Sequence, residues 1–400
     1  MRKKSVITKC VAREIFDTRG EPTVEVEMRA GDCAVVASVP SGKSTGSREA
    51  VVKRDADGGG VSSAIKIIHD VVAPAITGLA PDPRVIDSAL CDLDGTPDKR
   101  ALGANAMLPV SVAAVKLAAA LVEVPLWSFI ASYTRSGCGM PTVYMNVING
   151  GAHADFRLPF QEYMIVADSR DISDSVRRSF GLFEKLGDVL YPRGGRAYGD
   201  EGGYAPSFRT LEKPFEILRN LVAGEKGVSV GIDAAASQLY RDGAYAISGK
   251  AYAADELLEL YERIVGEFGV ASIEDPFEEE DMGSFRRLVE LLGGDATVVG
   301  DDATVTNPER IETYARAGAL DAVIIKPNQI GTVTETFHAI RAARENELGV
   351  IVSHRSGETP DTFIADLAVG VGADGFKAGS PLQEERRVKY YRLLEIKKEM

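Results

Sequence analysis

VSVGID (228–233), VASIED (270–275), TVVGDD (297–302), AVIIK (322–326), VIVSHR (350–355) and DGFK (374–377) repeat one pattern along the second half of the chain. In each, a short apolar run ends in a charged or polar side chain. The ends at Asp233, Glu274, Asp301, Lys326, His354 and Lys377 lie 41, 27, 25, 28 and 23 positions apart. Between them run amphipathic segments such as ADELLELYERIVGEF, SFRRLVELLG, PERIETYARAG and TVTETFHAIRAARENE. A strand, a loop, a helix and a return take roughly 25 to 30 residues, so the pattern predicts a βα repeat around a parallel sheet. Strands without polar alternation are covered on both faces. In a closed barrel, catalytic groups sit at the C-terminal ends of such strands. Three carboxylate positions, two lysines and a His-Arg pair occupy those ends here, which marks a candidate active site.

Upstream, the pattern changes. VITKCVARE, TVEVEMRA and CAVVASV read as a three-stranded antiparallel meander joined by DTRGEP and the Gly31-Asp32 turn. The glycine- and serine-rich PSGKSTGSREA follows as a loop. Residues from about Val61 to Thr134 read as helical, with Pro109 expected to start or kink the strongest helix. Strands followed by helices mark a separate α+β domain. We therefore expect a capping domain over residues 1–135 and a barrel over 136–400, divided at SGCGMP. TVYMNVING and FQEYMIVA supply the first two barrel strands, and DSVRRSFGLFEKLGDVLY the helix after them.

Composition narrows the function. The 400 residues are 45% hydrophobic and carry a net charge of −13, from 46 Lys and Arg against 59 Asp and Glu. That balance argues against nucleic acid or an anionic membrane as main partner. No run approaches the roughly 20 apolar residues of a membrane span. The MRKKSVITKC start lacks the apolar stretch of a signal peptide. Cys10, Cys33, Cys91 and Cys138 form no metal-type spacing and read as small core residues in a reducing, cytoplasmic compartment.

SGKST (41–45) looks like the end of a phosphate-binding P-loop, but the glycine required five positions before Gly42 is Ala37. A loop folding onto substrate, with Ser44 at its polar tip, is the better reading. Asp233, Glu274 and Asp301 would meet on one rim, where three carboxylates need a cation between them. All-oxygen ligands favour a hard ion, Mg²⁺ before Mn²⁺. Lys326 and Lys377 sit where core residues belong, a costly placement unless they act or pair with acid. His354-Arg355-Ser356 suits a phosphate or carboxylate. Glu162, Asp200, Glu201 and His153 lie in neighbouring strand-end or glycine-rich segments. His69 and His338 read as mid-helix residues without partners.

These residues resemble those of the enolase family. The segments DTRGEPTVEVE, VPSGKSTG, GANAMLPVS, MNVINGGAH, QEYMI, GDEGGYAP, GIDAAAS, SIEDPF, GDDATVTNP, KPNQIGT, SHRSGET and FKAGSP carry the resemblance from end to end. It implies a meander-plus-helices cap on a modified (β/α)8 barrel whose second strand runs antiparallel. It also implies reversible dehydration of 2-phospho-D-glycerate to phosphoenolpyruvate by a cytoplasmic homo-oligomer, dimer or octamer. By the same resemblance Asp233, Glu274 and Asp301 hold one Mg²⁺, and Ser44 helps hold a second that arrives with substrate. Lys326 becomes the base at C2, and Glu201, supported by Glu162, the acid at C3. His153, Lys377, Arg355 and Ser356 bind substrate, and His354 is a further active-site group. The chain departs from the family pattern at Lys43, at Asp155, Phe156 and Pro159, at Gln238 and in SPLQEER. Those departures leave open a paralogue acting on another phosphorylated hydroxy acid. A non-catalytic protein on the same scaffold would instead lack one of the catalytic groups, and none is missing.

Overall fold

In a computed structural model, residues 5–42, 48–56, 58–169 and 171–400 are described. Strands β1 (Ile7–Phe16), β2 (Pro22–Ala30) and β3 (Cys33–Ser38) form the antiparallel meander. Its inner face, Val24, Val26, Met28 and Ala37, packs on the helix Ala104–Leu121 and is buried. That helix is long and apolar enough to cross a membrane by length and composition, yet 78% of it is buried inside the protein. It is a core helix. Pro109 lies inside it rather than at its start.

Eight strands close the barrel: β4 (Thr142–Asn149), β5 (Glu162–Ala167), β6 (Val228–Asp233), β10 (Val270–Glu274), β11 (Thr297–Gly300), β12 (Ala322–Ile325), β13 (Gly349–Ser353) and β14 (Gly375–Lys377). β5 pairs antiparallel with both β4 and β6, and every other neighbour is parallel. The reversal has a consequence for chemistry. Glu162 begins β5 and Asp233 ends β6, yet the two stand opposite one another in register. A residue at the start of the reversed strand thus joins the catalytic end.

The wide 41-residue interval also has a cause. A small antiparallel sheet, β7 (Tyr240–Arg241), β8 (Ala244–Ile247) and β9 (Lys250–Tyr252), is inserted between β6 and the helix Ala254–Phe268. The apolar pattern did not reveal it. Nor did it mark the helices Lys213–Val222 and Glu384–Glu399.

Val299, Ala322, Ile324 and Ile351 form a small apolar cluster of their own among the barrel strands, with Tyr144 packed against it. The larger core lies between strands and outer helices. There Phe160, Tyr163, Phe215, Tyr261, Phe277 and Phe285 form a chain of ring contacts at 5.4–6.2 Å. Such pairs add about 0.5–1.5 kcal/mol each beyond their buried area.

Two expectations are corrected. Of the cysteines only Cys10 is buried; Cys33 and Cys91 are half-buried and Cys138 is exposed, at the junction before the barrel. His69 does have a partner, since its Nε2 accepts the Ala12 backbone N–H at 2.9 Å and ties the helical segment to β1.

Candidate active site

The strand ends converge on a cavity of about 430 Å³ lined by six carboxylates, Glu162, Glu201, Asp233, Asp275, Asp301 and Asp302, against the cations Lys326, Arg355 and Lys377. Asp233 and Glu274 are in register across β6 and β10, and Asp301 follows the last residue of β11. All three are at least 95% buried. Lys377 Nζ lies 2.8 Å from both Glu274 oxygens, 3.0 Å from Glu162 and 3.6 Å from Asp233. Lys326 Nζ donates to Asp301. Amide groups orient the same carboxylates: Gln161 Nε2 donates to Asp233 at 3.1 Å, and Gln329 Nε2 to Asp301 at 3.1 Å. Gln238, one of the departures noted in the sequence, donates to Gln161 at 2.9 Å and so braces Asp233 through it.

Charge in so dry a place cannot all persist. Burial, then Asp233 and Asp301, push the Glu274 carboxyl up to about 8 even with Lys377 beside it. Burial and Asp301 raise Asp302 to about 7. These clustered carboxylates could hold a hard cation, which an all-oxygen donor set suits. For Lys326, burial opposes the charge, but Asp301 outweighs it and holds the ammonium above the ordinary lysine range. Burial opposes the charge on Lys377 too, and Glu162, Glu274 and Asp233 raise it further.

On the other wall, His153, Glu162 and Glu201 bring their ligand atoms within 4.8 Å of one another. Glu201 accepts from Asn146 Nδ2 at 2.9 Å and lies 3.5 Å from His354 Nε2 and 3.7 Å from His153 Nδ1. Gly202 lets the loop hold it there. It has φ +76°, and a Cβ would come within 2.5 Å of Ser380 Oγ. Burial and the nearby Glu201 charge raise Glu162 well above the carboxylate range. Burial opposes ionisation of Glu201, but His354, His153, Arg386 and Lys377 outweigh it and keep it ionised. The sequence reading took Glu201 as the acid at C3; in this pair burial and neighbouring charge favour the proton on Glu162 over Glu201.

Arg386 was missed. Fully buried, it donates to the carbonyls of Arg355 (3.1 Å) and Ser356 (2.8 Å) and to His354 Nδ1. An arginine only donates, so His354 Nδ1 is an acceptor and the neutral ring carries its proton on Nε2, toward Glu201. Burial holds both His354 and His153 below the imidazole range. The His153 nitrogens make no hydrogen bond within the described residues, although the ring is 95% buried. Glu49 was also missed. Its carboxylate takes the Arg355 fork at 2.8 and 3.1 Å, and Asn328 Oδ1 accepts from the same guanidinium at 3.0 Å. Neither Glu49 nor Arg386 belongs to a strand end, which is why the apolar-run pattern passed over them. Lys43 and Ser44 lie outside the described residues.

The two ends of the chain match family models separately: "Enolase, N-terminal domain" over residues 7–130 and "Enolase, C-terminal TIM barrel domain" over 138–400. The enolase of Acidothermus cellulolyticus is 43% identical over 410 residues, covering 99% of this chain and 95% of that protein. The enolase of Methanocaldococcus jannaschii is 42% identical over 413 residues, covering 100% and 97%. That of Methanopyrus kandleri is 42% identical over 409 residues, covering 97% and 95%. With both family models and full-length relatives agreeing with the barrel, its reversed strand and the clustered strand ends, the chain belongs to the enolase family.

Proposed function

We propose that the protein catalyses the reversible dehydration of 2-phospho-D-glycerate to phosphoenolpyruvate. The observation that carries this reading is the opposition, across one cavity, of Lys326 paired with Asp301 and the neighbouring carboxyls Glu162 and Glu201, whose proton affinities are driven apart. Removing a proton next to a carboxylate builds a second negative charge, and expelling hydroxide needs an acid on the opposite side.

Lys326 would take the C2 proton. Asp301 favours its ammonium form, so that hold must first be lost. The Glu162–Glu201 pair would give the proton to the departing hydroxide, and His354, its tautomer set by Arg386, donates toward that pair. His153 offers a buried ring whose nitrogens are unused within the described residues. Lys377 carries positive charge for the substrate carboxylate. Arg355 and Ser356 suit the phosphate, which must share or displace Glu49 from the arginine fork. Asp233, Glu274 and Asp301 would hold Mg²⁺, with Ser44 contributing to a second ion. Such ions supply Lewis-acid stabilisation of charge growing on the substrate carboxylate. Pairing a Lys or His base with Mg²⁺ is a known property of the enolase superfamily.

The same reading places the enzyme in glycolysis and gluconeogenesis, in the cytoplasm, as a homo-oligomer. Exposed Val11 and Val36 on the outer side of the meander support a second copy, which sedimentation would reveal. For the activity itself, phosphoenolpyruvate formation from 2-phosphoglycerate should follow Mg²⁺ addition and stop with excess chelator. Full turnover in chelator would remove the metal assignment, and no product under any divalent ion would remove the substrate assignment.

A further inference from the structure

Away from the catalytic cavity, a groove of about 1110 Å³ opens between the capping domain and the barrel helix Val333–Glu345. The capping side supplies Arg84, Tyr133 and Arg135, and the barrel helix supplies His338, Arg341 and Arg344. Its lining residues include four arginines and a histidine but no carboxylate. In a chain of net charge −13, such a one-signed lining is unexpected.

Carboxylates do stand at the rim. Arg344 meets Asp374 at 2.6 Å, Arg341 meets Glu345 at 3.9 Å, and Asp82 accepts from the Tyr133 hydroxyl at 3.0 Å. The two ion pairs are exposed, 37% and 55% for one and 67% and 68% for the other. Pairs so exposed are worth about 0–1 kcal/mol, so a better anion can replace either carboxylate at little cost. Arg84 and Arg135 have no carboxylate partner within 4 Å among the described residues. The Arg84 guanidinium instead lies 5.0 Å from the centre of the Tyr133 ring, a contact that steadies it. The Tyr133 ring in turn packs on Phe129 and Phe337 at 5.6 and 6.1 Å. The Tyr133 ring is therefore held from both sides of the groove, and Arg84 is mounted on it.

We propose that this groove binds a small molecule bearing a di- or triphosphate. Guanidinium groups match phosphate oxygens two at a time, and several arginines spread over two walls suit several phosphates better than one. The lowered basicity of His338 agrees with this. Burial lowers it first, then Arg341 and Arg84, with Glu335 opposing, so the net field at the ring is positive. A bound polyphosphate would reach both domains at once, and the site is independent of the activity proposed above.

The test titrates inorganic tripolyphosphate and, separately, inorganic phosphate into the full chain without Mg²⁺. Binding is followed by calorimetry and by the His338 imidazole signal, one of four in the chain. We expect one tripolyphosphate per chain, a shifted His338 signal, and much weaker binding of phosphate. Each arginine removed should cost about tenfold in affinity, so Arg84→Ala/Arg341→Ala should lose about a hundredfold. Both side chains are exposed, and an unchanged melting temperature will show that the variant is folded. Failure of tripolyphosphate to bind overturns the proposal. So does binding that survives the double substitution with the His338 signal unmoved, because that places the anion in the catalytic cavity. Phosphate binding as tightly as tripolyphosphate overturns the assigned class.

Discussion

The catalytic cavity and the interdomain groove are both rich in charge, but they hold it differently. In the cavity, six carboxylates and three cations line about 430 Å³, and nearly every one is tied to an opposite charge or an amide. In the groove, four arginines line about 1110 Å³, two of them in exposed pairs and two without a carboxylate partner among the described residues. Burial makes the difference. A charge out of water costs several kcal/mol unless paired, whereas an exposed charge gains little from pairing. Substitutions in the cavity should therefore act on networks, and those in the groove on single side chains.

The largest effect belongs to Lys326. Lys326→Met should lower dehydration by about a thousandfold and stop exchange of the substrate C2 proton with solvent, as loss of a positioned base does. It should also destabilise the metal-free protein, because buried Asp301 loses its ion-pair partner and keeps a side-chain hydrogen bond from Gln329, with Lys377 and Arg355 acting only at longer range. Retained C2 exchange would move the base elsewhere. Next is Glu201→Gln, expected to cut dehydration by about a hundredfold while leaving measurable C2 exchange, since the carboxyl pair serves the other bond. Equal loss of both reactions would show that base and acid are not separate devices.

A smaller effect appears in stability against pH. Burial holds Glu274 at about 8 in the fold, above its ordinary 4.5. Between those values the unfolded chain has released the proton and the fold has not, so stability falls as pH rises. Asp302, at about 7, adds the same trend at the lower end. His153 and His354, lowered by burial, act oppositely, but only below their ordinary 6.5. From pH 6.5 to 8 the metal-free protein should therefore melt at progressively lower temperature. Glu274→Gln should flatten that slope, and Mg²⁺ should abolish it. A melting temperature that rises over this window would contradict the assigned protonation.

What the sequence disclosed follows from the same contrast. A charged residue closing an apolar run is conspicuous because the run forbids it, so Asp233, Glu274, Asp301, Lys326 and Lys377 could be read directly. Their pattern also pointed to a βα repeat around a parallel sheet, and the family resemblance made that sheet a barrel. The opposed proton affinities of Glu162 and Glu201 could not be read, because they depend on how His354, His153, Arg386 and Lys377 share the space around Glu201. Arg386 sits in a helix whose neighbours EERR are all charged, so nothing marks it as the fully buried one. The β7–β9 insertion was hidden because short exposed strands such as Tyr240–Arg241 bury no face. His338 read as an idle helical residue, since the arginines around it come from the same helix turn and from a helix some 250 positions earlier.

The smallest effect sharpens the comparison most. Arg341 pairs with Glu345 four residues on, at 3.9 Å and with both side chains about two-thirds exposed. Such a helical pair contributes about 0.3–0.5 kcal/mol. Arg341→Ala also removes a positive neighbour of His338 and gains the helix preference of alanine, so the two small terms partly cancel. The melting temperature should move by no more than about 1–2 °C, and dehydration kinetics should not change. The His338 imidazole should become more basic, because Arg341 is one of the charges that lower it. An NMR titration of that ring would show the rise. If Arg341→Ala instead destabilised the protein by several kcal/mol, the groove arginines would be structural after all, and the distinction between paired buried charge and spare exposed charge would fail.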